Sequence, residues 1–359
     1  MLIYLLLGLT AAALSFLMTP LVRALALRFG VVDDGSLHRS TAGPIPPLGG
    51  LAVLIALLGS IGLGLVVNPD LIAVLGPSLW TWRWAFVGTI LIAALGLVDD
   101  VYRLKPITKI VFQTIAAAMV AADGHGVGRI INPLTGDTIL LGWFAAPITL
   151  LWIVGITNAF NLIDGLDGLA AGVGLIAALT LSIISLTAGR PDVALLTIAL
   201  AGALGGFLYY NFSPASIFMG DSGSMFVGYL LAVLYVRGAQ QADGVPLLAP
   251  ILALSLPITD TLLAVIRRSF RPSPPDGGAN GRDFFFGRLL AIFRRDQDHI
   301  HHRLVAAGLK EPRAVLVLYA TAAASGLTAI LAFHSKTASI VLIAAMAGAA
   351  IYLALRKRR

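Results

Sequence analysis

Asn158-Ala-Phe-Asn161-Leu-Ile-Asp164-Gly-Leu-Asp167-Gly-Leu-Ala170 joins two long apolar runs. Two amides and two carboxylates recur here at every third residue. On a helix, that spacing sets side chains on neighbouring turns of one face. Gly165 and Gly168 would loosen such a helix and let a ligand approach the backbone closely. The apolar runs on either side put the polar groups at a membrane edge, where ionisable side chains are costly and mark a site. The plainer alternative is a polar loop with a helix cap. Three further acidic clusters at equivalent edges weigh against it.

The composition fixes the setting. Of 359 residues, 58% are hydrophobic and only 12% charged, about half the charged fraction of a soluble domain. The expected fold class is an all-α polytopic integral membrane protein, one bundle spanning residues 1–359 as a single domain. The chain has no cysteine, so disulfides are excluded. Residues 2–22 resemble the apolar core of a signal peptide. No basic stretch precedes them and no small-residue cleavage site is evident, so they are read as a retained first span. The net charge of +7 is assigned to topology and not to nucleic-acid binding.

Apolar runs long enough to span lie near 2–22, 48–67, 84–100, 106–122, 144–160, 169–188, 192–210, 224–241, 246–266, 313–333 and 337–355. About eleven transmembrane helices place the termini on opposite sides. With the N-terminus outside, the inner segments hold Arg23, Arg28, Arg39, Arg103, Lys105, Lys109, the ten cations from Arg267 to Arg313, and Arg356 to Arg359. Only Arg83, Arg129, Arg190, Arg237 and Lys336 stay outside. This asymmetry orients the chain with its C-terminus cytoplasmic. Residues 129–141 outside read as a short periplasmic β-hairpin with no chemistry assigned. The first inner loop, with Asp33-Asp34-Gly35, His38-Arg39 and Pro44-Ile-Pro-Pro-Leu-Gly-Gly50, is turn-rich.

The acidic clusters are Asp99-Asp100, Asp164 with Asp167, Asp221 and Asp260. Each falls at the cytoplasmic end of a different span, whereas Asp70, Asp123, Asp137, Asp192 and Asp243 are scattered outside. Carboxylates without cysteine suit a hard divalent cation, Mg²⁺ above all, which takes one or two carboxylates plus substrate phosphates. His299, His301, His302 and Arg303 add positive charge on the same side. Metal-holding acids and phosphate-holding cations together equip a site for phosphoryl transfer. Each piece also has a plainer reading. Asp99-Asp100 suits an exposed helix end, Asp221 suits an N-cap, and Asp260 suits an ion pair with Arg267. The histidines suit a transition-metal site, although the arginines around them favour an anion. Phe218 suits a buried loop anchor, or a ring stacked on a nucleobase beside Gly220.

Taken together, residues 158–170, Phe218 to Ser224 and His299-Ile-His-His302 resemble the polyprenyl-phosphate N-acetylhexosamine-1-phosphate transferases. The likeness covers essentially the whole chain. The histidine stretch resembles the branch containing WecA and TagO, and the triple-histidine loop of the MraY branch is missing. The resemblance implies transfer of a sugar 1-phosphate from a UDP-sugar to a lipid phosphate, with release of UMP. It implies Asp221 as principal Mg²⁺ ligand with Asp100, Mn²⁺ being able to substitute. Asp99 and Asp100 would lie near the lipid phosphate, with Asp99 the candidate base. Asn161 and Asp164 would lie beside metal and diphosphate, Asp167 and Phe218 on the uracil, and His301 and His302 on the diphosphate or sugar, with His299 and Arg303 also contacting substrate. A lipid phosphate is already mostly ionised near neutral pH, its second pKa being about 6, so positioning and charge neutralisation matter more than deprotonation.

The expectation is a Mg²⁺-dependent enzyme of the cell inner membrane that couples UDP-GlcNAc to undecaprenyl phosphate or a near relative. That reaction would open synthesis of a cell-envelope polysaccharide such as lipopolysaccharide or teichoic acid. Another UDP-N-acetylhexosamine is the nearest alternative, and a homodimer is left open. A secondary transporter would place its acids near the bilayer midplane, often within inverted repeats. Here they sit at one edge and no repeat is evident. A non-catalytic scaffold has no need of acids at four span ends.

Overall fold

A computed structural model describes residues 1–32, 44–124, 126–132, 135–238, 245–246, 248–270 and 299–335. The acids at 33–34, His38-Arg39, most of the long inner loop with Arg294 and Arg295, and the span at 337–355 lie outside the described residues.

In chain order the helices are α1 (Leu2–Arg28), α2 (Gly49–Val67), α3 (Pro69–Tyr102), α4 (Pro106–Ala122), α5 (Ala145–Ile163), α6 (Leu169–Thr187), α7 (Pro191–Asn211), α8 (Gly220–Gly238), α9 (Leu248–Ala253), α10 (Ser255–Phe270), α11 (Ile300–Ala306) and α12 (Glu311–His334). Among the described residues, seven are long and apolar enough to cross a membrane: α1, α2, α3, α5, α6, α7 and α12. Strand β1 (Arg129–Ile131) pairs antiparallel with β2 (Thr138–Leu140) and parallel with β3 (Val245–Pro246).

The spans expected at 106–122 and 224–241 correspond to α4 and α8, which are not among these seven, and two further elements depart from expectation. Helix α3 begins at residue 69, not near 84. Asn68 caps it by accepting from the Asp70 N–H at 2.9 Å, and Pro69 supplies a preset φ at the first position. At 1.5 Å per residue it is about 51 Å long, well beyond the hydrocarbon core. The expected span 246–266 is instead two pieces, α9 and α10, joined at Leu254. Pro257 carries no N–H for the Ala253 carbonyl, which breaks the ladder at that point.

Helix α8 is the axis of the bundle. Every residue from Ser222 to Val236 is buried, with α2, α3, α5 and α6 packed around it. A helix apolar all round is buried inside protein or lipid. Hydrogen bonds across its surface pin it among protein neighbours. Tyr229 Oη donates to Ala116 O at 3.3 Å on α4, and Tyr235 Oη donates to Ala177 O at 2.8 Å on α6. Trp152 Nε1 on α5 donates to the α8 carbonyl of Ala232 at 3.0 Å. With no water in the membrane to drive apolar association, close packing and such bonds hold the helices together.

The two ends of the bundle differ. At the end away from Asp221, two of the acids expected to be scattered are paired. Arg83 pairs with Asp123, and Arg190 grips Asp192 through Nε and Nη2 at 3.2 and 3.1 Å. Trp82 Nε1 also donates to Asp192 at 3.2 Å, and the Arg237 guanidinium lies 4.4 Å from the Trp82 ring centre. This polar clasp ties α3, α4, α7 and α8 together. Asp99 and Asp100 of α3, Asp164 and Asp167 between α5 and α6, and Asp221 of α8 lie at the opposite end.

Candidate active site

The helix of the 158–170 stretch stops earlier than its three-residue spacing suggests. Helix α5 ends at Ile163, Asp164 takes a non-helical conformation, and Gly168 at φ +78° starts α6. Only the amides therefore share the helix, and the carboxylates stand on the turn. Asn158 points away from Asp221. Its Nδ2 donates to Gln113 Oε1 at 2.6 Å and to Val154 O at 2.8 Å. Asn161, one turn on, donates to Asp221 Oδ1 at 2.8 Å and to Ser224 Oγ at 3.0 Å.

Asp221 sits in the first turn of α8, and its place is set from three sides. Gly220 enters at φ +70°, a conformation that side chains with a Cβ rarely adopt. Its neighbour Asp100, in the last turn of α3, accepts from the Asp221 N–H at 2.7 Å and the Ser222 N–H at 3.0 Å. Asp100, and not Asp221, therefore caps α8, which frees the Asp221 carboxylate for other partners. Third, α3 and α8 cross backbone to backbone at Gly96, where a β-carbon would stand 2.4 Å from Asp221 O.

The Asp221 carboxylate faces two donors. Asn161 holds Oδ1, and Lys109 Nζ holds Oδ2 at 2.9 Å. The same ammonium bonds Asp99 Oδ2 at 2.8 Å, and Asp99 Oδ1 accepts from Leu104 N. Lys109, in the first turn of α4, thus bridges two acids from α3 and α8. From the sequence alone, Lys109 stands out only as one of the inner cations. A cation in an otherwise apolar helix start was the available signal.

Just beyond α5, burial pushes the Asp164 carboxyl up to about 8, helped by the negative charges of Asp221 and then Asp167. Part of its surface remains open. Asp164, Asp167 and Asp221 lie together and only Asp221 shares Lys109, with Asp99, so the region attracts further positive charge. Asp167 Oδ2 accepts from Ala215 N at 2.9 Å, which ties the aspartate turn to the 212–219 loop. The half-buried Phe218 is clamped by its backbone: its N–H donates to Pro46 O and its carbonyl accepts from Gly49 N, both at 2.9 Å. Residues 46–50 thus act as the seat of the Phe218 loop, a role their turn-rich composition did not disclose. Arg23 Nε, near the end of α1, supports the same loop through Ser216 O at 2.9 Å.

The histidine stretch forms α11 and docks on the turn. Asp260, in α10, accepts from His299 Nδ1 and Ile300 N, both at 2.8 Å. Its partners are thus His299 and Ile300, where the plainer reading of the sequence paired it with Arg267. His301 packs its ring against Gly165, where a β-carbon would stand 2.4 Å from Nε2. His301 is buried, while His302 and Arg303 are exposed. The sites expected from sequence therefore converge: Asp99, Asp100, Asn161, Asp164, Asp167, Phe218, Asp221 and the α11 histidines share one end of the bundle.

Among the described residues, no three histidine or acidic side chains enclose an ion by themselves. The donor set still fits Mg²⁺, because that ion takes few carboxylates and completes its shell with water and phosphate. The Lys109 ammonium between Asp99 and Asp221 shows that a positive charge is stable there.

The family model described as glycosyl transferase family 4 matches residues 82–239. A probable undecaprenyl-phosphate N-acetylglucosaminyl 1-phosphate transferase of Bacillus subtilis is 36% identical over 305 residues, covering 84% of this chain and 77% of the relative. A decaprenyl-phosphate N-acetylglucosaminephosphotransferase of Mycobacterium tuberculosis is 34% identical, covering 98% and 89%. A phospho-N-acetylmuramoyl-pentapeptide-transferase of Moorella thermoacetica is 32% identical, covering 87% and 93%.

Proposed function

The chain belongs to the polyprenyl-phosphate N-acetylhexosamine-1-phosphate transferases, and on that premise we propose that it moves GlcNAc 1-phosphate from UDP-GlcNAc to undecaprenyl phosphate or a near relative. The products are a polyprenyl-diphosphate sugar and UMP, and the reaction opens assembly of a cell-envelope polysaccharide. The observation that carries this reading is the Asp221 carboxylate, held between Asn161 and Lys109 and bridged by Lys109 to Asp99.

The residues divide the work by the partners they keep. Asp221 and the open edge of Asp164 would hold Mg²⁺, or Mn²⁺ in its place. Bound there, the ion would neutralise the diphosphate of the donor. Asp100, with both oxygens on backbone amides, is assigned chiefly to aiming Asp221. Asp99 restrains Lys109, whose ammonium would take phosphate oxygens of the substrate. An ionised lipid phosphate needs no base for its attack on the β-phosphorus, and Asp99 is accordingly a positioning group. Asp167 and Phe218 are assigned to the uracil, a planar ring on which Phe218 can stack. His302 and Arg303 take the diphosphate or the sugar, as anion donors that strengthen when charge moves to the leaving UMP.

The site end is the cytoplasmic end of a protein in the inner membrane, with the N-terminus outside. Purified protein offered a panel of UDP-sugars with polyprenyl phosphate should release UMP with UDP-GlcNAc, and chelation by EDTA should abolish the release. Full turnover in excess EDTA would remove the metal from this reading.

A further inference from the structure

The bond between Asp260 and His299 lies outside the Asp221 centre and has no part in the chemistry above. Asp260 and His299 are 1% and 5% exposed, and His301 is 2% exposed. The Asp260 carboxylate is shared between a ring nitrogen, His299 Nδ1, and a backbone amide, Ile300 N, each at 2.8 Å. One group thus fixes both the ring and the start of α11. A ring nitrogen beside a carboxylate carries the proton, so His299 is held as the Nδ1–H form and its Nε2 is left as the other face. The His299 and His301 rings lie parallel within 2°, with centres 5.6 Å apart. His301 in turn fills the notch at Gly165, between Asp164 and Asp167. The His302 ring is 4.2 Å from the His301 ring, on the exposed side.

We propose that Asp260 is the positioning residue of the histidine helix. It fixes the tautomer of His299 and the seat of α11, and through the His299–His301 stack it presents His302 and Arg303 to the donor diphosphate. The inference rests on the transferase reading for its substrate but not for its geometry. In a membrane protein a buried carboxylate at this depth is costly, and two donors at hydrogen-bond distance offset that cost. A carboxylate that only filled space is replaceable by an apolar residue. One that orients an imidazole is not replaceable even by its own amide.

Asp260→Asn separates the two. The amide oxygen can still accept from Ile300 N and keep α11 capped. Its NH2 group then faces His299 Nδ1 and forces the opposite tautomer. The experiment uses full-length protein in detergent, and reads steady-state kinetics, thermal unfolding and ¹⁵N shifts of the histidine rings. The expected result for Asp260→Asn is near-native unfolding temperature, a reversed His299 tautomer, and kcat/KM for UDP-GlcNAc reduced about tenfold or more, with KM for the polyprenyl phosphate unchanged. Gly165→Ala should displace His301 and give the same kinetic pattern with the His299 tautomer intact. An Asp260→Asn enzyme with a lower unfolding temperature but native kinetics per folded molecule, or with native values throughout, overturns the proposal. Should the wild type release no UMP with any UDP-sugar, the transferase reading fails by itself. The ring shifts then decide alone: tautomer reversal in Asp260→Asn supports the positioning role, and an unchanged tautomer overturns it.

Discussion

Both oxygens of Asp221 face donors, Asn161 on one side and Lys109 on the other. Asp221→Asn must turn its NH2 toward one of them, so it removes a charge and leaves one donor unpaired. The unpaired donor costs about 1–3 kcal/mol of stability. On the metal role proposed for Asp221, the lost charge should cost several kcal/mol of transition-state stabilisation, on the order of a hundredfold or more in rate. Thermal unfolding and UMP release on the same sample should show a shift of a few degrees and a collapse in kcat. Native turnover at low Mg²⁺ would reduce Asp221 to a structural residue. Asp164 gives a second test. An unfolded aspartate titrates near about 3.9, and here the carboxyl is pushed up to about 8. Between those values the folded chain holds a proton that the unfolded chain does not, so this group's contribution to stability falls as pH rises. A divalent cation beside it offsets the charge that burial penalises. Mg²⁺ should therefore raise the unfolding temperature more at pH 8 than at pH 6, and Asp164→Asn should shrink that difference. Equal increments at both pH values in the wild type would contradict the assignment.

Helix α8 shows what an apolar run does and does not disclose. Its apolar run was legible in the sequence, but the helix begins at Gly220, four residues before the span expected from 224. Its position at the centre of the bundle was not legible, because a run apolar on all sides suits lipid and protein neighbours equally. The residue that caps it was also hidden, since Asp100 lies 121 positions from the amide it accepts from. The Asn158-to-Ala170 stretch was legible as a site, but its helix ends at Ile163 because Asp164 and Gly168 leave helical geometry. Tertiary bonds, to Gln113 for Asn158 and to Ala215 for Asp167, then override the common face that spacing alone suggested. Asp100→Ala removes the cap of α8 and should cost about 1–2 kcal/mol, read as a lowered unfolding temperature in detergent. Activity should fall further than stability, because the first turn carries Asp221. Asp100→Ser, which restores one acceptor, should recover part of the stability. If Asp100→Ala unfolds at the wild-type temperature, the cap contributes nothing.

At the scale of the molecule, the polar groups are divided between two ends, and the reading places the acidic one in the cytoplasm. Helix α12, from Glu311 to His334, is long and apolar enough to cross a membrane, so its flanking residues should face opposite sides. The chain has no cysteine, so single cysteines at Lys310 and Ser335 can be tested with an impermeant thiol reagent on intact cells. Labelling at Ser335 alone is expected, and labelling at Lys310 alone would invert the topology. On the function proposed, the bundle would hold Asp221, Asp164 and α11 around one donor diphosphate, so the bond that breaks is the most direct test. UDP-GlcNAc labelled on its β-phosphorus should be incubated with the purified protein, Mg²⁺ and polyprenyl phosphate. The account predicts that the β label moves into the lipid fraction in equal amount to the UMP released. Label that stays in water as UDP while the sugar moves to lipid, or label that stays in intact UDP-GlcNAc, would contradict it.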